Sequence, residues 1–162
     1  MLAMPEPDPH VLARREAIVA DLRERTGAGN VIAETLRLKP YETDGFTAYR
    51  RVPLAVVLPK TTAQVAACLR YCHDQGIRVV PRAAGTSLSG GALPLEDAVV
   101  IGVSRMNRIL EVSYEDRLAR VEAGVTNLGI TKAVEGEGFF YAPDPSSQLA
   151  CMIAGNVAMN SG

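Results

Sequence analysis

A loop made almost entirely of small residues, RAAGTSLSGG at positions 82–91, follows a short β-branched run that ends at Pro81. Glycines let the backbone approach a ligand closely and adopt positive φ, and the serine and threonine hydroxyls offer further donors. Backbone N–H groups that converge in such a loop bind anions, phosphates above all. An ordinary glycine-rich surface turn has the same composition, so the loop alone leaves both interpretations open.

Two common phosphate-binding motifs do not fit this loop. Gly85 and Gly90 have the spacing of a Walker A loop, but Gly91 stands where that motif requires its lysine. A Rossmann loop must open a helix whose N-terminus binds the pyrophosphate, whereas ALPLEDAVVIG leads through a turn into a predicted strand. The remaining candidate is a nest of backbone amides, with Arg82 either offsetting the anion's charge or pairing with a carboxylate.

Two more stretches of small and polar residues stand near the end of the sequence. They are PDPSSQ at 143–148 and AGNVAMNSG at 154–162, and both are expected to be loops. Separated loops of this kind suit a long ligand with a diphosphate in its middle. Asn156 supplies a polar group there, while Gly155 and Ala158 leave space, so the second region favours a phosphate-binding interpretation of the first.

Hydrophobic periodicity predicts the elements that position these loops. The expected helices cover 10–25, 61–76 and 126–138, and the expected strands cover 54–59, 77–81, 98–103 and two runs within 109–124. The strand–helix–strand unit at 54–81 predicts parallel pairing, because a helical crossover of that length joins parallel strands. The turn at Glu115-Asp116 predicts a change to antiparallel pairing. In the second helix, the residues expected on one buried face are Val65, Cys68, Leu69 and Cys72.

Composition places the chain among globular proteins, since 48% of its residues are hydrophobic and 22% are charged. The net charge of −1 argues against nucleic acid and anionic lipid as partners. Three cysteines argue against a secreted disulfide framework, and Cys68 and Cys72 are expected to be buried side chains rather than metal ligands. The sequence has neither the apolar core of a signal peptide nor the ~18 apolar residues of a membrane span. These features predict a cytoplasmic protein.

Four blocks of the sequence resemble the FAD-linked oxidases of the vanillyl-alcohol oxidase/PCMH type. The blocks are YETDGFTAYRRVPLAVVLPKT, VVPRAAGTSLSGGALPLE, ARVEAGVTNLGI and YAPDPSSQLACMIAGNVAMNSG, in the family's order. Within the family, the chain is most similar to the group formed by the D subunit of bacterial glycolate oxidase and the D-lactate dehydrogenases. The resemblance covers nearly everything from residue 40 onward.

The resemblance implies an α+β fold, the PCMH-type FAD-binding domain, with a small parallel α/β subdomain followed by an antiparallel sheet subdomain. Residues 1–39 would be a helical lead-in, and 40–162 would be an FAD-binding domain that is truncated at its C-terminus. The implied cofactor-binding residues are Arg82, Ala83, Ala84, Gly85, Thr86, Ser87, Asp144, Ser147, Gly155, Asn156 and Ala158. The family's catalytic and metal-binding histidines would lie beyond residue 162, so no catalytic residue and no metal site is assigned.

The activity implied by the resemblance is oxidation of a 2-hydroxy acid, glycolate or D-lactate, by FAD. An iron–sulfur partner subunit and attachment to the inner membrane through partners are further expectations. The alternatives are an FAD-linked oxidase of another substrate and a truncated remnant without catalytic activity.

Two departures from the family pattern bear on the cofactor. Relatives with covalently attached flavin have a histidine where this chain has Thr86, so a dissociable, non-covalent FAD is expected. The family usually has glycine at the position of Ala83, and alanine there would weaken FAD binding if the position required positive φ. Asp44 and Tyr49, in the first block, are expected to hold the lead-in to the first long strand.

Overall fold

The computed structural model describes residues 4–143 and 145–160. At its centre is a four-stranded sheet with the order β1-β2-β4-β3. The strands are β1 (Val31–Ile32), β2 (Ala55–Val57), β3 (Arg78–Arg82) and β4 (Ala98–Gly102). β2 and β3 both pair parallel with β4, while β1 pairs antiparallel with the outer edge of β2. The predicted parallel pairing is therefore confirmed.

Both faces of this sheet are covered by helices, which explains why β2 and β4 are continuous apolar runs with every residue buried. The helices of this half are α1 (Pro9–Ala13), α2 (Arg15–Thr26), α3 (Thr35–Leu38) and α4 (Thr62–Asp74). On one face, Val57 and Val99 pack with α1, α2 and α4. On the other face, Val56 and Val100 pack with Leu38 of α3. Successive strand residues point to opposite faces, and the two core clusters follow from that alternation.

Helix α4 is the predicted crossover between β2 and β3. The Thr61 hydroxyl accepts a hydrogen bond from the Gln64 amide at 3.2 Å, as a helix N-cap does. Cys68 and Cys72 are completely buried, as expected, and burial raises the pKa of the Cys72 thiol to about 12. Leu69 was expected on the same face but is 46% exposed. Tyr71 takes its place in the core.

The second half of the chain forms a separate antiparallel hairpin. Strands β5 (Ile109–Ser113) and β6 (Leu118–Val121) pair antiparallel around a turn at 114–117, and helix α5 (Asn127–Val134) follows. The predicted change from parallel to antiparallel pairing is confirmed, and with it the α+β fold.

Two segment predictions were wrong. The expected helix at 10–25 is two helices, because the chain leaves helical geometry at Arg14, with φ −94° and ψ 8°. The expected loop at 154–162 instead contains helix α6 (Ile153–Met159). Residues 161 and 162 lie outside the described part of the chain. The division into a lead-in at 1–39 and a domain at 40–162 stays a prediction, and the lead-in contributes β1, α1, α2 and α3 to the central sheet and its core.

Candidate functional site

A cavity of about 370 Å³ lies between the 82–92 loop and the segment 145–159. The loop follows the carboxyl end of β3, and Val103, at the carboxyl end of the neighbouring strand β4, also lines the cavity. Parallel sheets bind ligands at this edge, because the chain leaves each strand there as a loop free to contact the ligand. The sheet therefore places the loop where a ligand would be expected.

Every predicted cofactor-binding residue that the structure describes lines this single cavity. They are Arg82, Ala83, Ala84, Gly85, Thr86, Ser87, Ser147, Gly155, Asn156 and Ala158. Asp144 lies outside the described residues. The two regions that sequence reasoning paired, more than 50 residues apart, thus face one another across one space.

The backbone N–H groups of residues 83–88 are the main hydrogen-bond donors at the cavity. Within the described part of the chain, none of these N–H groups donates to a protein acceptor. Half-buried amides in native proteins normally have partners, so the amides of the half-buried residues Ala83, Ala84, Gly85 and Ser87 mark a place for an acceptor-rich ligand. Gly85, with φ 74°, supplies the left-handed turn that lets successive amides converge. This donor set fits a diphosphate.

Helix α6 does not offer its own amides to the cavity. The amides of Ile153 and Ala154 donate to the carbonyls of Val125 and Ala123, at 2.9 and 3.0 Å. The next two amides of the helix donate to Met152. The free donors therefore belong to the loop at 83–88, and α6 contributes shape and side chains.

Arg82 is held within the protein at the start of the loop. Its Nη1 donates to the carbonyl of Thr43 at 2.7 Å and to that of Ala92 at 3.4 Å. Burial lowers the pKa of the guanidinium, and the negative charge of Asp44 partly opposes that shift. The positive charge of Arg82 therefore lies beside the loop.

Ala83 does not carry the strain that a positive φ would impose. In the described residues, positive φ outside glycine occurs only at Arg117 and Asn160. The condition under which alanine was expected to weaken binding, a positive φ at position 83, is therefore not met. Ala83 instead packs against α6, where a Cβ placed on Gly155 would lie 3.4 Å from its own. The loop and the helix approach this closely because Gly155 has no side chain.

Asn156 is fixed by a second buried amide, that of Asn127 in α5. Nδ2 of Asn156 donates to Oδ1 of Asn127, whose own Nδ2 donates to the carbonyl of Pro143 at 3.4 Å. These bonds fix the orientation of both amides. In the described part of the chain, Oδ1 of Asn156 accepts no hydrogen bond, and it is the atom left to accept one from a ligand hydroxyl or N–H.

Sequence reasoning missed part of the cavity wall. Pro81, Val103, Met152 and Met159 line it without having been predicted. Cys151, which the sequence placed near the flavin without a redox role, lines it as a buried free thiol. The position of Val103 one residue after a predicted parallel strand was a usable signal. The apolar surface that these residues present suits the flat, mostly apolar ring of a flavin.

Comparisons with known proteins identify the family of the chain. Residues 53–162 match the sequence family described as FAD binding domain. The chain belongs to this family. This FAD-binding domain shares 49% identity over 148 residues with the glycolate oxidase subunit GlcD of Escherichia coli (strain K12), covering 91% of the chain and 30% of that protein. It shares 32% identity over 139 residues with the mitochondrial D-2-hydroxyglutarate dehydrogenase of Bos taurus, covering 86% of the chain and 26% of that protein.

Solved structures support the fold of the FAD-binding domain. A substrate-bound p-cresol methylhydroxylase superposes with a TM-score of 0.79 at 21% identity, covering 96% of the chain and 30% of that protein. The chain thus spans about 30% of the length of the Escherichia coli relative and of the p-cresol methylhydroxylase. None of the helices in the described residues combines the length and apolarity that a membrane crossing requires.

Proposed function

We propose that this domain holds FAD in a flavoprotein that oxidises a 2-hydroxy acid, with glycolate as the leading substrate and D-lactate as the next. The observation that carries the proposal is the run of amides at 83–88, which donate to no acceptor among the described residues and face the predicted second region across one cavity. FAD, when bound, accepts a hydride from the substrate carbon that bears the hydroxyl. The identity of 49% to a glycolate oxidase subunit supports this substrate class.

The chain's own residues would bind and orient the cofactor. The amides of 83–88 would donate to the diphosphate, and Arg82 would lower the cost of placing two negative charges there. Oδ1 of Asn156 would accept from a hydroxyl or N–H on the other side of the cavity. Met152, Val103 and their apolar neighbours would exclude water from the ring. We assign no catalytic residue to the described part of the chain.

The identity of Thr86 supports dissociable FAD, because a threonine hydroxyl does not form the histidyl link of covalent flavoproteins. We also propose an iron–sulfur partner subunit, cytoplasmic placement and contact with the inner membrane through partners. The name of the Escherichia coli relative, a subunit of an oxidase, supports an assembly with at least one further chain.

Titration of the cofactor-free full-length protein with FAD tests the binding proposal. We expect saturable binding with visible flavin absorption, competition by ADP, and little competition by riboflavin, which lacks the diphosphate. Acid precipitation of the loaded protein should leave all the flavin in the supernatant. A protein that takes up no FAD contradicts the proposal, and equal competition by riboflavin contradicts the role of the 83–88 amides.

Anaerobic reduction of the loaded protein tests the substrate. Glycolate, D-lactate and D-2-hydroxyglutarate would each be added, and loss of the flavin absorbance would be followed over time. We expect glycolate to give the highest second-order rate. A higher rate with D-2-hydroxyglutarate would favour the activity named for the Bos taurus relative, and no reduction by any of the three would favour another substrate.

A further inference from the structure

We propose that Asp44 is a positioning residue that anchors the C-terminal end of the phosphate-binding loop from outside the region matched by the FAD-binding family. This inference rests on the proposed FAD site, and Asp44 precedes the family match, which begins at residue 53. The sequence predicted for Asp44 only the role of holding the lead-in to strand β2. This lead-in is the segment of residues 41–53, and not the helical segment at 1–39. The structure gives Asp44 a second role, at the loop.

Asp44 is only 5% exposed, and its carboxylate accepts two backbone hydrogen bonds, one local and one from a residue far along the chain. Oδ1 accepts from the amide of Phe46 at 2.9 Å, which turns the lead-in locally. Oδ2 accepts from the amide of Ala92 at 3.2 Å, although these residues are 48 positions apart. One carboxylate therefore joins the lead-in to the C-terminal end of the loop.

The N-terminal end of the loop is tied to the same place. Arg82 donates through Nη1 to the carbonyls of Thr43 and Ala92. The charge of Asp44 stabilises the protonated guanidinium, against the larger effect of burial. Both ends of the loop, Arg82 and Ala92, thus converge on residues 43–44, and the chain between them has few bonds of its own.

The backbone of the lead-in also passes directly beneath the middle of the loop. A Cβ placed on Gly45 would lie 2.7 Å from the carbonyl oxygen of Thr86 and 2.8 Å from that of Ser87. In a planar trans peptide, the N–H points opposite to the C=O. The amides of Ser87 and Leu88 therefore point away from the lead-in, and both residues line the cavity while Gly45 does not. The lead-in sets the direction in which the free amides point.

Asp44→Asn tests this anchoring with the smallest change of shape. An asparagine keeps one acceptor oxygen, so its NH₂ would face the amide of Phe46 or of Ala92, and the counter-charge for Arg82 would be lost. The matched control is Glu42→Gln, which removes the same charge two residues away. Glu42 pairs with Lys39 and Arg50 on the surface, at 3.0 and 3.5 Å.

The first readout is the dissociation constant for FAD, measured by titrating the cofactor-free full-length protein. We expect an increase of about tenfold or more for Asp44→Asn, because bonds to a buried charged acceptor are among the stronger ones. Glu42→Gln should stay within about twofold of the unchanged protein. If Asp44→Asn does not fold, Gly45→Ala is the second variant, and its added Cβ should weaken FAD binding by pushing on the loop carbonyls.

The second readout is hydrogen exchange of the cofactor-free protein, which a purely structural role would not move in the same way. Exchange of the peptide 87–93 should speed up in Asp44→Asn, while exchange of strand β4 stays unchanged. Equal acceleration of both, or FAD affinity unchanged in Asp44→Asn, would overturn the inference. Failure of the unchanged protein to bind FAD would instead overturn the proposed function, and the exchange comparison would still support or refute the anchoring.

Discussion

Gly85 lies against the guanidinium of Arg82, so closely that a Cβ at Gly85 would stand 2.8 Å from Nε and nearer still to Nη2. Gly85 also has a φ of 74°, which an L-residue rarely adopts. At Gly85 the backbone of the loop therefore passes over the side chain of Arg82, which is the first residue of the loop. Glycine is required here for two separate reasons, backbone conformation and space.

Gly85→Ala should weaken FAD binding and lower the free energy of unfolding by more than the ~1 kcal/mol that left-handed geometry alone costs. The matched control is Gly76→Ala, since Gly76 has a similar φ of 65° and open space around it. Urea unfolding and FAD titration measure the loss of stability and of FAD affinity in each variant. The part of the loss that Gly85→Ala shows beyond Gly76→Ala is the cost of displacing Arg82. Equal losses in the two variants would show that Arg82 simply moves aside.

Gly155→Leu should block the cavity while leaving the apoprotein folded. A Cβ at this position meets Ala83 at 3.4 Å, so the rest of a leucine side chain must enter the space proposed for FAD. The gain in helix propensity, ~1 kcal/mol, offsets part of the crowding. We expect the affinity for FAD to fall at least about tenfold and the stability to change by less than ~1 kcal/mol. Val157→Leu, at a 76% exposed position of the same helix, is the control and should change neither quantity.

Asn127→Ala should destabilise the protein by about 1–3 kcal/mol, because the buried amide of Asn156 loses its acceptor. Asn127 is 1% exposed and joins α5, α6 and the carbonyl of Pro143. Urea unfolding measures the loss, and Asn107→Ala, at an exposed position, serves as the reference. If Asn127→Ala lowers the free energy of unfolding no more than Asn107→Ala does, then water replaces the side-chain amide of Asn127 without loss of stability.

Alkaline pH should destabilise the fold in part through Tyr71. Its hydroxyl donates to Asp21 at 2.7 Å, and burial, together with that bond, raises its pKa to about 12. The folded state therefore favours the neutral phenol. The contribution of this raised pKa to the free energy of unfolding is fully present below the unfolded-state pKa of ~10. It is lost as the pH rises through the folded-state pKa of about 12. Unfolding free energies measured from pH 8 to 11.5 should fall more steeply in the unchanged protein than in Tyr71→Phe. Parallel curves would contradict the assignment.

The sheet and the cavity were predictable because their signals are local. Fully buried strands are continuous apolar runs, as in β4, and the loop at 82–91 is small-residue sequence directly after a strand. The order of strand, helix and strand then fixed parallel pairing, which placed the loop at the ligand-binding edge. The small and polar residues of the closing stretch suggested the pairing with Gly155 and Asn156, and the resemblance to known flavoproteins supported it.

The parts that escaped prediction depend on contacts between distant residues. Helix α6 contains glycine and asparagine, which disfavour helices, and carbonyls of Ala123 and Val125 secure its first turn from about 30 positions earlier. The hydrogen bond between Asp44 and Ala92 also joins residues that are far apart in the sequence, and no local pattern around either residue predicts it. The exposure of Leu69 reflects the rotation of α4 on the sheet, which periodicity defines only to within one residue.

Strand β1 closes the outer edge of β2 with two residues, Val31 and Ile32. A shortened protein that began at residue 53, where the family match starts, would leave β2 with unpaired N–H and C=O groups along a wholly apolar strand. Such a bare edge recruits strands from other molecules. The same truncation would remove α1, α2 and α3 from the two faces of the sheet. We therefore expect a fragment trimmed to the family boundary to precipitate at concentrations where the longer chain stays in solution.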